Sequence, residues 1–293
     1  MVRLKVALDL DYVIADPGCD FVFNIHAAQT PCQVVSSERL ELNQPVTPEI
    51  FSDPVSGNRY MRLRAGPGNL HVRYSSVVDV THHFAPPERI PEVPVARLPV
   101  RVLNYIYPSR YCQSDRLGKL AIREFGNLWQ GYSRVRAIQD WVQQRVTFSS
   151  NTSDSNTSAI DTLIEQVGVC RDFAHLMIAL CRALSIPARF VTGTDYGADP
   201  ILGPPDFHAY VEVYLGDRWY MFDPSGAAIP MGFVRFGTSR DAADVAFATI
   251  FGTVTSSAPL IDVKALVDPK SNCVMPYRCN EALSTDAELA SRG

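Results

Sequence analysis

Cys170 stands in the run Gly168-Val169-Cys170-Arg171-Asp172-Phe173-Ala174-His175-Leu176, directly ahead of a helical apolar pattern; His208 and Asp223 follow on two strand-like segments. A cysteine at a helix start, with a histidine and an aspartate on adjacent strands, is the set that acyl transfer through a thiolate requires. A helix N-terminus and a neighbouring imidazolium both favour the thiolate form of a cysteine. His208 would serve as base and then acid, and Asp223 would fix the imidazole tautomer and stabilise its charged form. The Cys170 N–H at the helix start is one natural donor to the tetrahedral oxyanion; the residues name no second donor. Attack on a carboxamide would leave an acyl-thioester on Cys170. Water resolves it in a protease or amidase, an amine in a cross-linking enzyme, and the sequence leaves that choice open.

These side chains need particular elements to hold them. Phe173, Leu176, Met177, Leu180 and Leu184 mark one face of a helix that begins at Cys170 and ends at Ser185-Ile186-Pro187. Ala188 to Gly193 reads as a strand, Thr194 to Pro205 as a turn-rich loop, and His208 to Leu215 as a second strand. Gly216-Asp217 is a hairpin turn, and the returning strand, Arg218 to Asp223, stops at Pro224. So tight a turn lays the two strands antiparallel and in register, which brings His208 beside Asp223. Upstream, Asp115 to Ala121 and then Val135, Ile138, Val142 and Val146 predict two packed helices. Ser149 to Thr157 is a polar loop, expected to be mobile and to border the site. Ser158 with Asp161 forms a capping box for a further helix whose apolar face is Ile160, Leu163, Ile164 and Val167, and Gly168 ends it.

Residues 1 to about 105 read as strands with turns. Tyr60 to Ala65 and Leu70 to Tyr74 flank the turn Gly66-Pro67-Gly68-Asn69, which reads as an antiparallel hairpin, and the region is expected to be a small β-sandwich. Prolines 86, 87, 91, 94 and 99 cannot donate ladder hydrogen bonds and predict a linker, so the chain divides into a 1–100 β-sandwich and a 101–293 catalytic domain. The fold class expected is α+β.

Other chemistry-bearing residues read as structural. Cys181 lies inside the same helix as a small core hydrophobe. His175 is about 500° of helical rotation past Cys170, off the thiol's face, and is expected to pack or hydrogen-bond. Asp172 supports the helix start, with Arg171 partly offsetting its charge. His82-His83 has no Cys, Asp or Glu at ligand spacing, so no metal is expected there. Seven cysteines without CxxC spacing argue against a zinc site and a disulfide framework; Cys273 and Cys279 have no assigned role. A formal charge of −4, with Lys and Arg scattered, gives no footprint for nucleic acid. Asp9, Asp11 and Asp16 interrupt any early apolar stretch, so neither a signal region nor a membrane span is expected, and the chain reads as cytoplasmic.

The sequence resembles the bacterial transglutaminase-like superfamily of cysteine proteases. The likeness rests on Gly168 to Leu176 with Leu180 to Arg189, on Asp206-Phe207-His208-Ala209-Tyr210-Val211-Glu212-Val213-Tyr214, and on Trp219-Tyr220-Met221-Phe222-Asp223-Pro224. Weaker similarity covers Tyr107 to Cys112 and Gly237 to Val245, and the first hundred residues fit that family's β-rich N-terminal region more loosely. The resemblance implies a papain-like core with Cys170 as nucleophile, His208 as base and acid and Asp223 as orienter, without metal or organic cofactor. The activity expected is hydrolysis of amide or peptide bonds in a peptide or protein substrate. The alternatives are a protein-glutamine transglutaminase with the same triad and an inactive binding module of the same fold.

Overall fold

The computed structural model describes residues 1–197, 205–268 and 271–286. Positions 198–204 of the turn-rich stretch between Thr194 and Pro205 lie outside the described residues, as do 269–270 and 287–293 of the tail. The first part of the chain forms β1 (Val2–Ile14), β2 (Cys19–Phe23), β3 (Gln33–Leu42), β4 (Glu49–Ser52), β5 (Arg59–Ala65), β6 (Gly68–Val80) and β7 (His83–Ala85). Strict alternation along β1 buries Val2, Leu4, Val6, Leu8 and Leu10 on one face. β1 pairs with β6 over its full length, from Val2 opposite Val80 to Ile14 opposite Gly68, and β3 adds on the far side of β6. β2, β5 and β4 make a second antiparallel sheet. The two sheets share one core, where the Tyr12 ring meets Phe21 and Phe23 at 5.2 and 5.9 Å.

The hairpin expected across Gly66-Pro67-Gly68-Asn69 does not form: among the described residues β5 pairs with β2 and β4, and β6 with β1 and β3. The turn crosses from one sheet to the other. Met61 and Leu63 then enter the shared core from one side, and Leu70, Val72 and Tyr74 enter it from the other. Alternation reports which face is buried and is silent about which strand lies alongside.

The proline-rich stretch is a strap rather than a free linker. It runs through short 3-10 turns, and Val93, Leu98 and Val102 pack on Tyr214 and Trp219. Glu92 pairs with Arg134, both largely buried.

Beyond it come α1 (Gly118–Phe125), α2 (Tyr132–Arg145), β8 (Thr147–Phe148), α3 (Ala159–Glu165), β9 (Val167–Gly168), α4 (Cys170–Ala183), β10 (Ala188–Asp195), β11 (His208–Leu215), β12 (Arg218–Phe222) and β13 (Phe233–Ser239). Val135, Ile138 and Val142 of α2 are fully buried at their helical spacing. The Ser158 amide donates to the Asp161 carboxylate at 2.9 Å and its side chain accepts from the Asp161 backbone, as the capping box requires, and the Ser158 hydroxyl also donates to that carboxylate. α3 nevertheless stops earlier than its pattern implied. Gln166 ends it in the left-handed region at φ 57°, Gly168 continues into β9 beside β8, and Ile164 is 72% exposed because Ala159 and Thr162 take the inward face.

α4 is the axis of this half, buried from Asp172 to Arg182. It lies on the antiparallel sheet β12-β11-β10-β13. Phe190, Val211 and Val213 face the helix, while Val191, Tyr210 and Val234 join the core of the first two sheets. The fold is therefore α+β, with a cysteine-bearing helix packed on an antiparallel sheet that is covered on both faces.

The tail returns to the beginning of the chain. β14 (Ala248–Phe251) pairs with β2, β15 (Val254–Ser256) and β16 (Leu260–Ala265) both pair with β1, and β17 (Ala282–Ser284) pairs with β7. The sheets begun by residues 2–80 thus take in strands from 248–265. Beneath them, the fully buried Glu212 of β11 pairs with Arg189, whose Nε donates at 2.7 Å, and with Arg235. Arg189 also lies 4.2 Å over the Trp219 ring. Glu212→Gln leaves two buried guanidiniums without their counter-charge, and urea unfolding should show a loss of about 3–5 kcal/mol.

Candidate active site

Local chemistry fixes where α4 begins. The Asp172 carboxylate accepts the Val169 N–H at 2.9 Å, so one of the orphan amides of the first turn is satisfied and Cys170 becomes the first helical residue. Gly168 makes room for this. A Cβ there would come within 2.8 Å of the Asp172 Cβ and 2.9 Å of its carboxylate oxygen. The other Asp172 oxygen accepts the Ser153 hydroxyl at 3.0 Å, and Arg171 donates to Ser153 Oγ and to the Asp154 carbonyl. The polar loop 149–157 is therefore tied to the first turn of α4, the helix that begins at Cys170, and borders it.

The three residues singled out by sequence come together. Cys170 is half-buried, and its thiol points at the Phe207 carbonyl, with Sγ 3.8 Å from the oxygen. Phe207 is held by stacking on Phe247 at 4.3 Å, and it leads directly into His208 at the start of β11. Gly216 and Asp217 both take positive φ, 52° and 65°, as a two-residue I′ turn demands. The resulting register sets Val211 opposite Phe222, so Asp223 emerges level with the start of β11. His208 Nε2 lies 3.4 Å from Asp223 Oδ1, a charge-pairing distance at which the ring nitrogen does not form an aligned hydrogen bond.

Asp223 is held as an anion from behind. Its Oδ1 accepts the Ser225 amide at 3.1 Å and the Ser225 hydroxyl at 2.6 Å, and its Oδ2 accepts the Ala228 amide at 3.2 Å. Burial pushes its pKa up, but the charge of His208 and these donors outweigh burial and hold it below the usual carboxylate value. For His208, burial opposes the charged ring; the negative charge of Asp223 and the neighbouring Cys170 sulfur outweigh it, and the pKa stands well above the ordinary histidine value. Phe233 stacks on the imidazole at 5.2 Å and 21° and walls that side.

His175 is not part of this group. It is fully buried between Tyr111 at 5.0 Å and Phe190 at 5.1 Å, its Nε2 accepts the Ala242 amide at 3.2 Å, and burial lowers its pKa to about 3. The two stretches of weaker family similarity meet here. The Tyr111 amide donates to Asp241 at 2.9 Å, and Arg182 reaches the Tyr107 and Arg240 carbonyls. Cys181 is a buried core residue whose thiol is pushed up by burial. His82, just ahead of β7, is lowered to about 4 by burial.

Asp195, Ser225, Ala228 and Phe233 were not legible as site residues. Ser225 carries a weak signal, a hydroxyl two residues past an aspartate, the spacing of an Asx-type turn. Asp195 at the end of β10 has no such signal.

This arrangement meets the comparisons with known proteins. Residues 121–224 match the transglutaminase-like superfamily core, and residues 2–101 match the bacterial transglutaminase N-terminal domain. A solved structure described as a "Putative Cysteine Protease" from Cytophaga hutchinsonii is 39% identical, covers 97% of each chain and superposes with a TM-score of 0.90. An uncharacterized protein of Mycobacterium leprae is 27% identical over 63% of this chain and 68% of its own. One of Mycobacterium tuberculosis is 31% identical over 46% of each. The chain belongs to the transglutaminase-like superfamily.

Asp172→Ala removes the cap and the anchor of loop 149–157 together. Unfolding stability should fall by about 1–2 kcal/mol, and limited proteolysis should cut faster within 149–157.

Proposed function

We propose that the chain is a cysteine-dependent hydrolase of amide or peptide bonds. The observation that carries this reading is the position of Asp223 and the Cys170 sulfur around one buried imidazole, whose charged form they favour. Cys170 Sγ attacks the carbonyl carbon, and the tetrahedral oxyanion develops at the open first turn of α4, where the Cys170 N–H is a donor. Collapse breaks the C–N bond. His208 gives its proton to the departing amine, the acyl group stays on Cys170 as a thioester, and Asp223 holds the imidazole in one tautomer throughout. His208 then takes a proton from the incoming water, and a second tetrahedral intermediate returns the free thiol. The likeness to a chain described as a cysteine protease supports water as the acceptor.

Incubation with a glutamine-containing peptide, with and without a primary amine, followed by mass measurement, tests this. Chain cleavage or deamidation that is abolished by Cys170→Ala is expected. An amine adduct would instead make the protein a transglutaminase. A Cys170 that iodoacetamide alkylates no faster than buried Cys181 would make it a binding module.

Asp223→Asn should leave the fold intact and lower turnover by roughly three to four orders of magnitude. The sign of its pH effect follows from the cause of the His208 shift. Asp223 raises that pKa, so its neutralisation lets the imidazolium lose its proton at lower pH, and the alkaline limb of the rate profile should move down in pH.

A further inference from the structure

A second carboxylate lies beside the His208–Asp223 pair. Asp195 ends β10, and β10 pairs with β11 so that Gly193 stands opposite His208. Directly opposite residues share a face of the sheet, and Asp195, two positions past Gly193, lies on it as well. On its other side β10 pairs with β13, where Asp195 stands opposite Phe233, the residue whose ring stacks on the imidazole. Glycine at 193 leaves no side chain between the two strands. It is also required there, because a Cβ would come within 2.0 Å of the Val234 carbonyl oxygen.

The two carboxylates are treated differently by their surroundings. Asp223 has three donors from Ser225 and Ala228. Asp195 is 6% exposed, and among the described residues its Oδ2 has no hydrogen-bond partner. An ionised carboxylate left so is costly, and an acid that keeps its proton costs far less. Burial and the nearby charge of Asp223 push its pKa up, while His208 pulls it down. The groups facing it are His208 of β11, Asp223 beyond β12 and, across β13, Arg235, which is engaged by Glu212; Asp206 and Cys170 face the same imidazole from the start of β11 and the start of α4.

We infer that Asp195 is a positioning residue for His208: a reserve counter-charge, protonated while Asp223 is ionised and ionising in its place when Asp223 is neutralised. The inference deepens the thiol-hydrolase reading and rests on it for its catalytic consequence. Two carboxylates beside one imidazolium titrate as a set, so removing one charge lowers the cost of ionising the other.

A double-substitution cycle reads this directly. Asp195→Asn should cost at least tenfold more in turnover in an Asp223→Asn background than it does alone, and in that background it should move the alkaline limb of the rate profile lower still. Equal fold-effects in both backgrounds would overturn the inference. A second measurement needs neither an Asp195 variant nor activity: the His208 ring followed by NMR titration in a protein carrying both Cys170→Ala and Asp223→Asn, where the sulfur that also raises His208 is gone. A His208 pKa that stays above the ordinary histidine value is expected, and one below it would overturn the reserve role. Because that titration reports on the imidazole alone, loss of Cys170 chemistry would sink the hydrolase reading and leave this test standing.

Discussion

An imidazole and a carboxylate, both withdrawn from water, are the contact on which the rest of this structure depends. Either charge alone at that depth would be expensive, and the mutual attraction repays the desolvation only when the remaining lone pairs are also satisfied. Asp223 meets that condition through Ser225 and Ala228, which is why the ion-pair state prevails over burial for both groups. Linkage gives the pair a pH window. The raised pKa of His208 contributes stability that is complete below the unfolded histidine value and lost as pH rises through the folded one. The lowered pKa of Asp223 contributes stability present above the unfolded carboxylate value and lost as pH falls through the folded one. These describe one interaction seen from its two ends, and neutral pH lies inside the window.

Two short pieces of chain make the geometry reproducible. The I′ turn at Gly216-Asp217 sets the β11–β12 register, and a shift of one residue would turn His208 to the other face. The Asp172 cap and the bare backbone of Gly168 set the start of α4, and with it the height of the Cys170 sulfur against the Phe207 carbonyl. Each device is local. The distance between them is set by the packing of α4 on β10 and β11, which Phe190, Val211 and Val213 fill.

Locality also explains what the sequence discloses. Cys170, His208 and Asp223 were legible because a helix cap and a two-residue turn leave the backbone few alternatives. Asp195 was not. A connection of a dozen residues separates β10 from β11, and a loop that long fixes no register, so its place beside His208 follows only from the folded pairing. The same reasoning covers the β5–β6 turn, whose four residues can close a hairpin or pass between layers. It covers the return of β14, β15 and β16 as well: strands that pair across more than two hundred residues leave no mark in their own neighbourhoods.

That return bears on the site. The sheet carrying His208 has two apolar faces, and α4 covers only one; Val191, Tyr210 and Val234 on the other are buried by the sheets of the first part of the chain. Without that cover the second face would be wet, and water would compete for the ion pairs by which Glu212, Arg189 and Arg235 lock the strands. Gln33 ties the layers at this level, its amide donating to the Arg235 carbonyl at 2.7 Å and accepting the Arg235 amide at 2.8 Å. The β-rich part therefore bears on the candidate site from behind: it supplies the dry side of the sheet on which the His208 imidazole is held beside the Asp223 carboxylate.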